Sequence, residues 1–460
     1  MLFEKFDYSD LESLAIEMPI EINCYKYAGD FEGEIKAIDK YLEKNAEKDN
    51  LPEGLIARLK IEKLIASELI NNYKTEFESI YNRLKEEFPN LTFELLEKFI
   101  DEGHGDYIVK NGKRMFENAA YVNLKRIKGD YLRKLDNPDY YDRANFELRN
   151  ENRIIMREKG SRAFRYTIKQ WIMPTVSEEH AGKLIRVHLP FPVECATQYD
   201  IKLISSTEEP YISNAEQRTV FFEKPYVPGE NFFVEFTYVN KSTYKEISPL
   251  VAKEGNPGFY LDEQYPHVRF TPYIKMLAKD LKGSETNPLL LARRAYEWVT
   301  HNVGYSYTRP YFCLENISEF AAINRRGDCG VMSTLFITLC RAMGVPAKWE
   351  SGLYTTPVEI GWHDWAMFYV EPYGWLYADL SMGESTARCG EKQLYNHYFG
   401  NLDPFRTVYC NDFQKQFEPP KSFMRCDPYD NQMGEAEFED FGLFFNDWKC
   451  GKEVISAEEV

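Results

Sequence analysis

Residues 325–343 carry the strongest structural signal in this chain: RRGDC, followed by the apolar run GVMSTLFITLCRAM. The run is long enough for a buried helix, and Gly344-Val345-Pro346 ends it. Cys329 is therefore expected in the first turn of a helix, where it faces the partial positive charge of unpaired backbone N–H groups. This field favours the thiolate over the thiol, so the position suits a nucleophile.

A histidine and an aspartate later in the chain provide the other two residue types that catalysis by a thiol requires. His363 lies in the sequence Trp-His-Asp-Trp at 362–365, and Asp379 follows Trp-Leu-Tyr-Ala at 375–378. Both segments indicate strands, and the short link 371–374 predicts an antiparallel hairpin that brings His363 and Asp379 side by side. Cysteine, histidine and an acid in this order can serve as nucleophile, base and orienting group in acyl transfer.

The three residues fit one reaction. The Cys329 thiolate would attack the carbonyl of an amide or peptide bond. His363 would hold the proton and return it to the leaving amine, while Asp379 would fix the tautomer and orientation of the imidazole. The backbone N–H of Cys329 is the expected first donor to the oxyanion. The sequence does not identify the second donor, for which Trp362 and Tyr307 are candidates.

Each of these residues also has a structural interpretation. A cysteine taken alone is usually a small buried apolar residue, and Cys340, on the same helix face as Cys329, is expected to be one. His363 could be an ordinary strand histidine, and Asp379 could end a strand at a turn. Asp328 is expected to cap the helix and not to act as a catalytic acid. The glycine and aspartate before Cys329, with the histidine and acid downstream, favour catalysis.

Four blocks of the chain resemble the transglutaminase-like superfamily. They are Gly327-Asp328-Cys329, CRAMGVPA at 340–347, His363-Asp364-Trp365 and GWLYAD at 374–379. The resemblance covers roughly residues 270–400 and is to bacterial members in particular. It implies a papain-like cysteine-protease core, with Cys329 as nucleophile, His363 as base and Asp379 as the partner that orients the histidine.

The superfamily includes amine-transferring crosslinkers, peptidases, amidases and members without the triad, so three hypotheses remain. The first is cysteine-dependent hydrolysis of amide bonds in a peptide or protein through an acyl-enzyme. The second is transamidation of protein glutamine by the same triad, which differs only in how well the site excludes water. The third is a binding scaffold without catalysis, which the filled positions of Cys329, His363 and Asp379 disfavour.

The predicted fold class is α+β, with the Cys329 helix packed on an antiparallel sheet. Residues 1–160 are predicted to be a helical region, 161–246 a small antiparallel β domain, 247–410 the catalytic core and 411–460 an irregular tail. Apolar residues of the first region recur at helical spacing, for example Tyr73, Phe77, Ile80, Leu84 and Phe88. From its position alone, the helical region is expected to be a substrate lid or a docking domain. The segment FGNLDPFR at 399–406 has no assigned role.

Charge and hydropathy exclude several partner classes. The 460 residues carry a net charge of −17, which opposes binding to nucleic acid and to anionic membranes. No apolar stretch approaches the roughly 20 residues needed to cross a bilayer. The opening residues MLFEKFD have no basic segment before an apolar one, so a secretory signal is not expected. The expected partner is therefore a peptide or protein substrate, and the oligomeric state is not predicted.

The cysteines indicate a reducing environment. Nine cysteines are scattered along the chain without a C-x-x-C pair, which argues against a disulfide framework and against a zinc site. No acidic loop has the ligand spacing of a calcium site. We therefore expect no metal or cofactor and a cytoplasmic location.

Overall fold

The computed structural model describes residues 5–46, 51–110, 112–138, 144–255 and 257–460. Helices dominate the chain before residue 160, antiparallel sheets follow, and a helix-and-sheet core comes after them. This arrangement confirms the predicted α+β class. Across the described part of the chain, no helix combines the length and the apolarity that crossing a bilayer requires.

Seven helices and a small sheet form the N-terminal part of the described chain. The helices are α1 (Ile20–Tyr27), α2 (Phe31–Ala46), α3 (Glu53–Asn72), α4 (Phe77–Glu87), α5 (Phe93–Phe99), α6 (Ala120–Asp136) and α7 (Ala144–Lys159). The strands are β1 (Tyr73–Glu76), β2 (Tyr107–Lys110) and β3 (Lys113–Glu117), in the order β1-β3-β2. The predicted helical stripe begins at Phe77 and buries Ile80 and Leu84, whereas Tyr73 belongs to strand β1.

The β region contains six strands. They are β4 (Ser161–Pro174), β5 (Leu184–Pro190), β6 (Gln198–Ser206), β7 (Tyr211–Ile212), β8 (Thr219–Pro225) and β9 (Phe232–Thr243). All the pairings among them are antiparallel. Alternate residues of β4 and β9 are buried, which is the pattern of strands with one face in the core.

The core places helices around a five-stranded antiparallel sheet. Its helices are α8 (Pro272–Lys282), α9 (Pro288–Asn302), α10 (Ile317–Asn324), α11 (Cys329–Met343), α12 (Leu380–Arg388) and α13 (Lys392–His397). Its strands are β10 (Gly304–Tyr305), β11 (Arg326–Gly327), β12 (Ala347–Thr355), β13 (Ile360–Val370), β14 (Gly374–Ala378), β15 (Phe399–Gly400) and β16 (Arg406–Cys410). The sheet order is β15-β14-β13-β12-β16, and β10 pairs with β11 in parallel.

The helix α11 is the centre of this core. Every residue of α11 except Ala342 is buried. Val331 and Leu335 share one apolar cluster with Ala366 and Phe368 of strand β13. Burying one aliphatic side chain contributes roughly 1.5–3 kcal/mol to the free energy of folding. This packing therefore holds the first turn of α11 at a defined place beside the sheet.

The C-terminal tail is not irregular throughout, so that prediction is wrong. Its strands are β17 (Glu435–Phe438) and β18 (Trp448–Glu459). β17 pairs with β5, and β18 pairs with β4 along most of its length, both antiparallel. They complete two four-stranded sheets in the orders β17-β5-β8-β7 and β18-β4-β9-β6. The boundaries drawn between the four regions remain predictions.

Candidate active site

The start of α11 holds Cys329 in a defined position. Asp328 caps the helix, since its Oδ1 accepts the backbone N–H of Val331 at 3.1 Å and the Tyr311 hydroxyl at 2.5 Å. This is the predicted role of Asp328. Burial raises the pKa of Asp328 to about 6, while the hydrogen bond from Tyr311 acts in the opposite direction. A side chain on Gly330 would overlap the Tyr311 hydroxyl, so the residue after Cys329 has to be small.

His363 and Asp379 meet, as the hairpin prediction required. His363 Nε2 lies 2.7 Å from Asp379 Oδ2, and both side chains are buried. Because a carboxylate can only accept, Nε2 carries the proton and Nδ1 is left to face another group. Arg406 Nη2 donates to the same Asp379 oxygen at 2.7 Å, and the other carboxylate oxygen accepts the backbone N–H of Met382 at 3.0 Å.

These contacts keep Asp379 ionised. Burial alone would raise the pKa of Asp379, but His363 and Arg406 together hold it at about 2. Arg406 is itself held by Asp403 at 2.9 Å. Asp403, Arg406 and Asp379 therefore form a chain of contacts that orients the imidazole of His363. It also gives the segment 399–406 a physical role that the sequence did not supply.

No hydrogen bond joins Cys329 to His363 in the described structure. The Cys329 thiol donates instead to Asp364 Oδ2, at 3.2 Å. Successive residues of a strand point to opposite faces, and Ala366 and Phe368 of β13 face α11. Asp364 shares their face and meets the helix, whereas His363 shares the face of Trp365, which lies in another cluster.

The environment of the thiol favours its protonated form. Burial raises the pKa of Cys329 well above its ordinary value, and the nearby carboxyls of Asp364 and Asp328 add to the effect. The expected field of the helix N-terminus is thus outweighed by burial and by two acids. In this resting arrangement the sulfur is a neutral thiol.

The C-terminal tail ties strand β13 in place beside Cys329. Gln432 Nε2 donates to Asp364 Oδ1 at 2.8 Å and to the backbone carbonyl of His363 at 3.2 Å. Burial raises the pKa of Asp364 to about 8, with the charge of Asp328 as a further cause. No role at the site was predicted for Asp364, Arg406 or Gln432. The alternation of β13 could have identified Asp364, but no local pattern marks Gln432.

One cavity of about 650 Å³ contains both candidate side chains, Cys329 and His363. Cys329, His363, Asp364 and Gln432 all line it, while Asp379 lies behind His363. The two candidate oxyanion donors, Trp362 and Tyr307, also line the cavity, and both are about half exposed. Within the described ranges, no group of three or more histidine, cysteine, aspartate or glutamate side chains is arranged to hold a metal ion. The arrangement suits nucleophilic chemistry carried out by side chains.

Comparison with known families agrees with this site. Residues 275–380, which are called the transglutaminase-like domain, match the family model of the transglutaminase-like superfamily. The matched range contains Cys329, His363 and Asp379. The match supports a thiol-enzyme kind of chemistry. No curated protein matches the chain.

Solved structures similar to this chain come from several bacteria. One is described as a "Putative Cysteine Protease" from Cytophaga hutchinsonii. It is 12% identical and has a TM-score of 0.38, and the similarity covers 65% of this chain and 98% of that chain. Another is the periplasmic domain of TgpA from Pseudomonas aeruginosa. It is 14% identical and has a TM-score of 0.28, and the similarity covers 54% of this chain and 96% of that chain.

Proposed function

We propose that this protein is a thiol-dependent hydrolase that cleaves amide bonds in a peptide or protein through an acyl-enzyme. The observation that carries the proposal is the His363–Asp379 hydrogen bond of 2.7 Å beside a cavity that Cys329 also lines. A histidine fixed by a buried carboxylate at the edge of a cavity with a cysteine is the arrangement that nucleophilic thiol catalysis needs. Cys329 is the proposed nucleophile, His363 the base and Asp379 the orienting acid.

The first step requires the thiol to leave Asp364. Rotation about the Cα–Cβ bond of Cys329 turns the sulfur from Asp364 toward Nδ1 of His363, which takes the proton. The thiolate then forms a C–S bond with the substrate carbonyl carbon, and the carbonyl π electrons move to the oxygen. The backbone N–H of Cys329, in the first turn of α11, is the proposed donor to this oxyanion.

The acyl-enzyme forms when the oxyanion collapses. The C–N bond of the substrate breaks, and the His363 imidazolium gives its proton to the leaving amine. Water then attacks the thioester carbonyl carbon and His363 accepts a proton from the water. The C–S bond breaks, the acid product leaves, and His363 returns the proton to the departing sulfur, which restores the thiol and the free base. Asp379 stays ionised throughout, because its contacts with His363 and Arg406 hold its pKa at about 2.

The test is release of fragments from a peptide library by the purified full chain. We expect fragments from the wild-type protein and none from Cys329→Ala. Cys24→Ala is a matched control, because Cys24 is an exposed cysteine on helix α1, and it should retain full activity. Release by Cys329→Ala at the wild-type rate would refute the proposal. A primary amine added to the same assay shows whether water or an amine resolves the acyl-enzyme.

A further inference from the structure

The cavity that holds Cys329 and His363 carries free positive charge at its opening. Arg126, Arg149 and Lys452 all line it, and none of the three makes an ion pair with a carboxylate among the described residues. The whole chain has a net charge of −17, so unpaired cations grouped at one cavity are unexpected on composition. They come from helices α6 and α7 and from strand β18, regions outside the transglutaminase-like domain.

Arg126 forms one side of the opening. Its Nη2 donates to the Tyr307 hydroxyl at 2.6 Å, and its guanidinium lies 4.6 Å from the Tyr307 ring centroid and 5.4 Å from that of Tyr305. Arg126 is exposed. Tyr305 belongs to β10, which pairs with the strand leading directly into Cys329. Arg126 therefore presents a charge to solvent on the Cys329 side of the cavity.

Lys452 and Arg149 lie on the His363 side. Lys452 Nζ is 3.4 Å from the ring centroid of Trp362, which directly precedes His363 and is 46% exposed. Burial lowers the pKa of Lys452 to about 8, so the ammonium is still mostly charged at pH 7. Arg149 Nε donates to the Tyr354 hydroxyl at 3.2 Å, and its guanidinium lies 5.5 Å from the same ring. Both cations are held by aromatic rings.

Acids also line the cavity, but most of them do not compensate these cations. Burial raises the pKa of Asp364 to about 8, so this carboxyl is largely protonated at pH 7, and burial also raises the pKa values of Asp427 and Asp430. Glu384 is paired with Arg388 at 3.2 Å.

Two carboxylates oppose the cations. Asp328, with a pKa of about 6, is engaged by Tyr311 beside Cys329, and the exposed Glu359 makes no ion pair among the described residues. Their charges are fewer than those of Arg126, Arg149 and Lys452. Arg126, Arg149 and Lys452 thus bring more positive charge to the cavity than Glu359, the one exposed carboxylate among its described lining residues, brings negative charge.

We infer that the substrates are acidic peptides, with carboxylates on both sides of the scissile amide that pair with Arg126 on one side and with Lys452 and Arg149 on the other. The inference rests on the proposed hydrolase function and adds its substrate class. Aromatic rings beside each cation also give the peptide apolar surface to pack on. On this view the helical region and the C-terminal strand select the substrate, while the transglutaminase-like domain cleaves it.

The test compares peptides that differ only in the residues flanking one cleavable amide. We expect kcat/KM for glutamate-flanked peptides to exceed that for glutamine-flanked peptides by about tenfold. This is the size of effect that the binding free energy of a few partly exposed ion pairs gives. Lysine-flanked peptides should be the poorest substrates. The advantage of glutamate should shrink as salt is raised, because salt screens partly exposed charges.

Variants assign the preference to the named cations. Arg126→Gln and Lys452→Gln should each raise KM for the glutamate peptide more than for the glutamine peptide. Arg157→Gln is the control, because Arg157 is an exposed cation in the last turn of α7 outside the cavity, and it should change neither value. Equal kcat/KM values for glutamate and glutamine peptides in the wild-type protein would overturn the inference while leaving the hydrolase proposal intact.

A binding measurement separates the two proposals. Fluorescence anisotropy of labelled, uncleaved peptides on Cys329→Ala reports the preference without any chemistry. Tighter binding of the glutamate peptide, lost in Lys452→Gln, supports the inference even where no hydrolysis occurs. Equal binding of the glutamate and glutamine peptides to Cys329→Ala refutes it.

Discussion

At the scale of single residues, the site depends on the alternation of one strand. His363 and Asp364 are neighbours in sequence but lie on opposite faces of β13, so one is fixed by Asp379 and the other accepts the Cys329 thiol. The proposed nucleophile is therefore hydrogen-bonded to a carboxyl group at rest. Asp364 stabilises the protonated sulfur and opposes its ionisation, which makes it the first residue to change in a test of thiol reactivity.

Asp364→Asn should make Cys329 easier to ionise. The substitution keeps an acceptor oxygen for the thiol but removes a carboxyl group whose charge raises the pKa of Cys329. We expect the midpoint of the pH dependence of Cys329 alkylation by iodoacetamide to move to lower pH. Asp440→Asn, at an exposed aspartate paired with Lys183, should leave the midpoint in place. A midpoint that moves to higher pH in Asp364→Asn would contradict this account.

Asp379 makes stability depend on pH in a narrow acidic range. Its pKa is about 2 in the folded protein against 3.8 for the ordinary group, so the folded state binds fewer protons than the unfolded state. The resulting stability, on the order of 2 kcal/mol, is present above about pH 4 and is lost as the pH falls through about 2. Asp379→Asn should flatten the pH dependence of the free energy of unfolding, measured with urea, between these values. An unchanged slope would contradict the assignment.

At the scale of elements, the first turn of α11 is fixed by packing around a glycine. Gly330 lies against the Tyr311 hydroxyl and the Trp349 ring, with no room for a Cβ. Tyr311 in turn donates to Asp328, the cap of the same helix. The position of Cys329 thus depends on contacts made by the residues on both sides of it.

Gly330→Ala should therefore destabilise the protein and misplace the nucleophile. The added methyl group has to displace Tyr311, and overpacking of this kind costs about 1–3 kcal/mol. Urea denaturation should show this loss, together with a fall in kcat. Gly361→Ala is the matched control, since a Cβ there would meet no atom within 4 Å. Its stability should be unchanged or slightly higher. Equal stability of the two variants would show that Tyr311 does not constrain the turn.

At the scale of the whole molecule, short sequence patterns predicted the elements of the core. They did not predict the contacts between residues that are far apart in the chain. The cap at Asp328, the helix start at Cys329 and the hairpin that joins His363 to Asp379 each follow from a few adjacent residues, and the structure has all three. The contact of Cys329 with Asp364 depends on how α11 sits on the sheet. Gln432 is brought to the site only by long-range strand pairing of the tail. The alternation of β13 indicates only the face on which Asp364 lies, and no pattern in the nearby sequence marks Gln432.

Removal of residues 448–460 tests how far the tail supports the molecule. This deletion takes away β18, which pairs with β4 along most of its length, and leaves β4 as an unpaired edge. It also removes the buried side chain of Trp448 and the cation Lys452. We expect a Tm lowered by many degrees, because a long strand ladder and a large apolar side chain are lost together. Lys452→Gln removes the charge alone and should keep the wild-type Tm. If the truncated chain unfolded at the wild-type temperature, β18 would be an accessory strand, and its place beside the cavity would serve substrate selection alone.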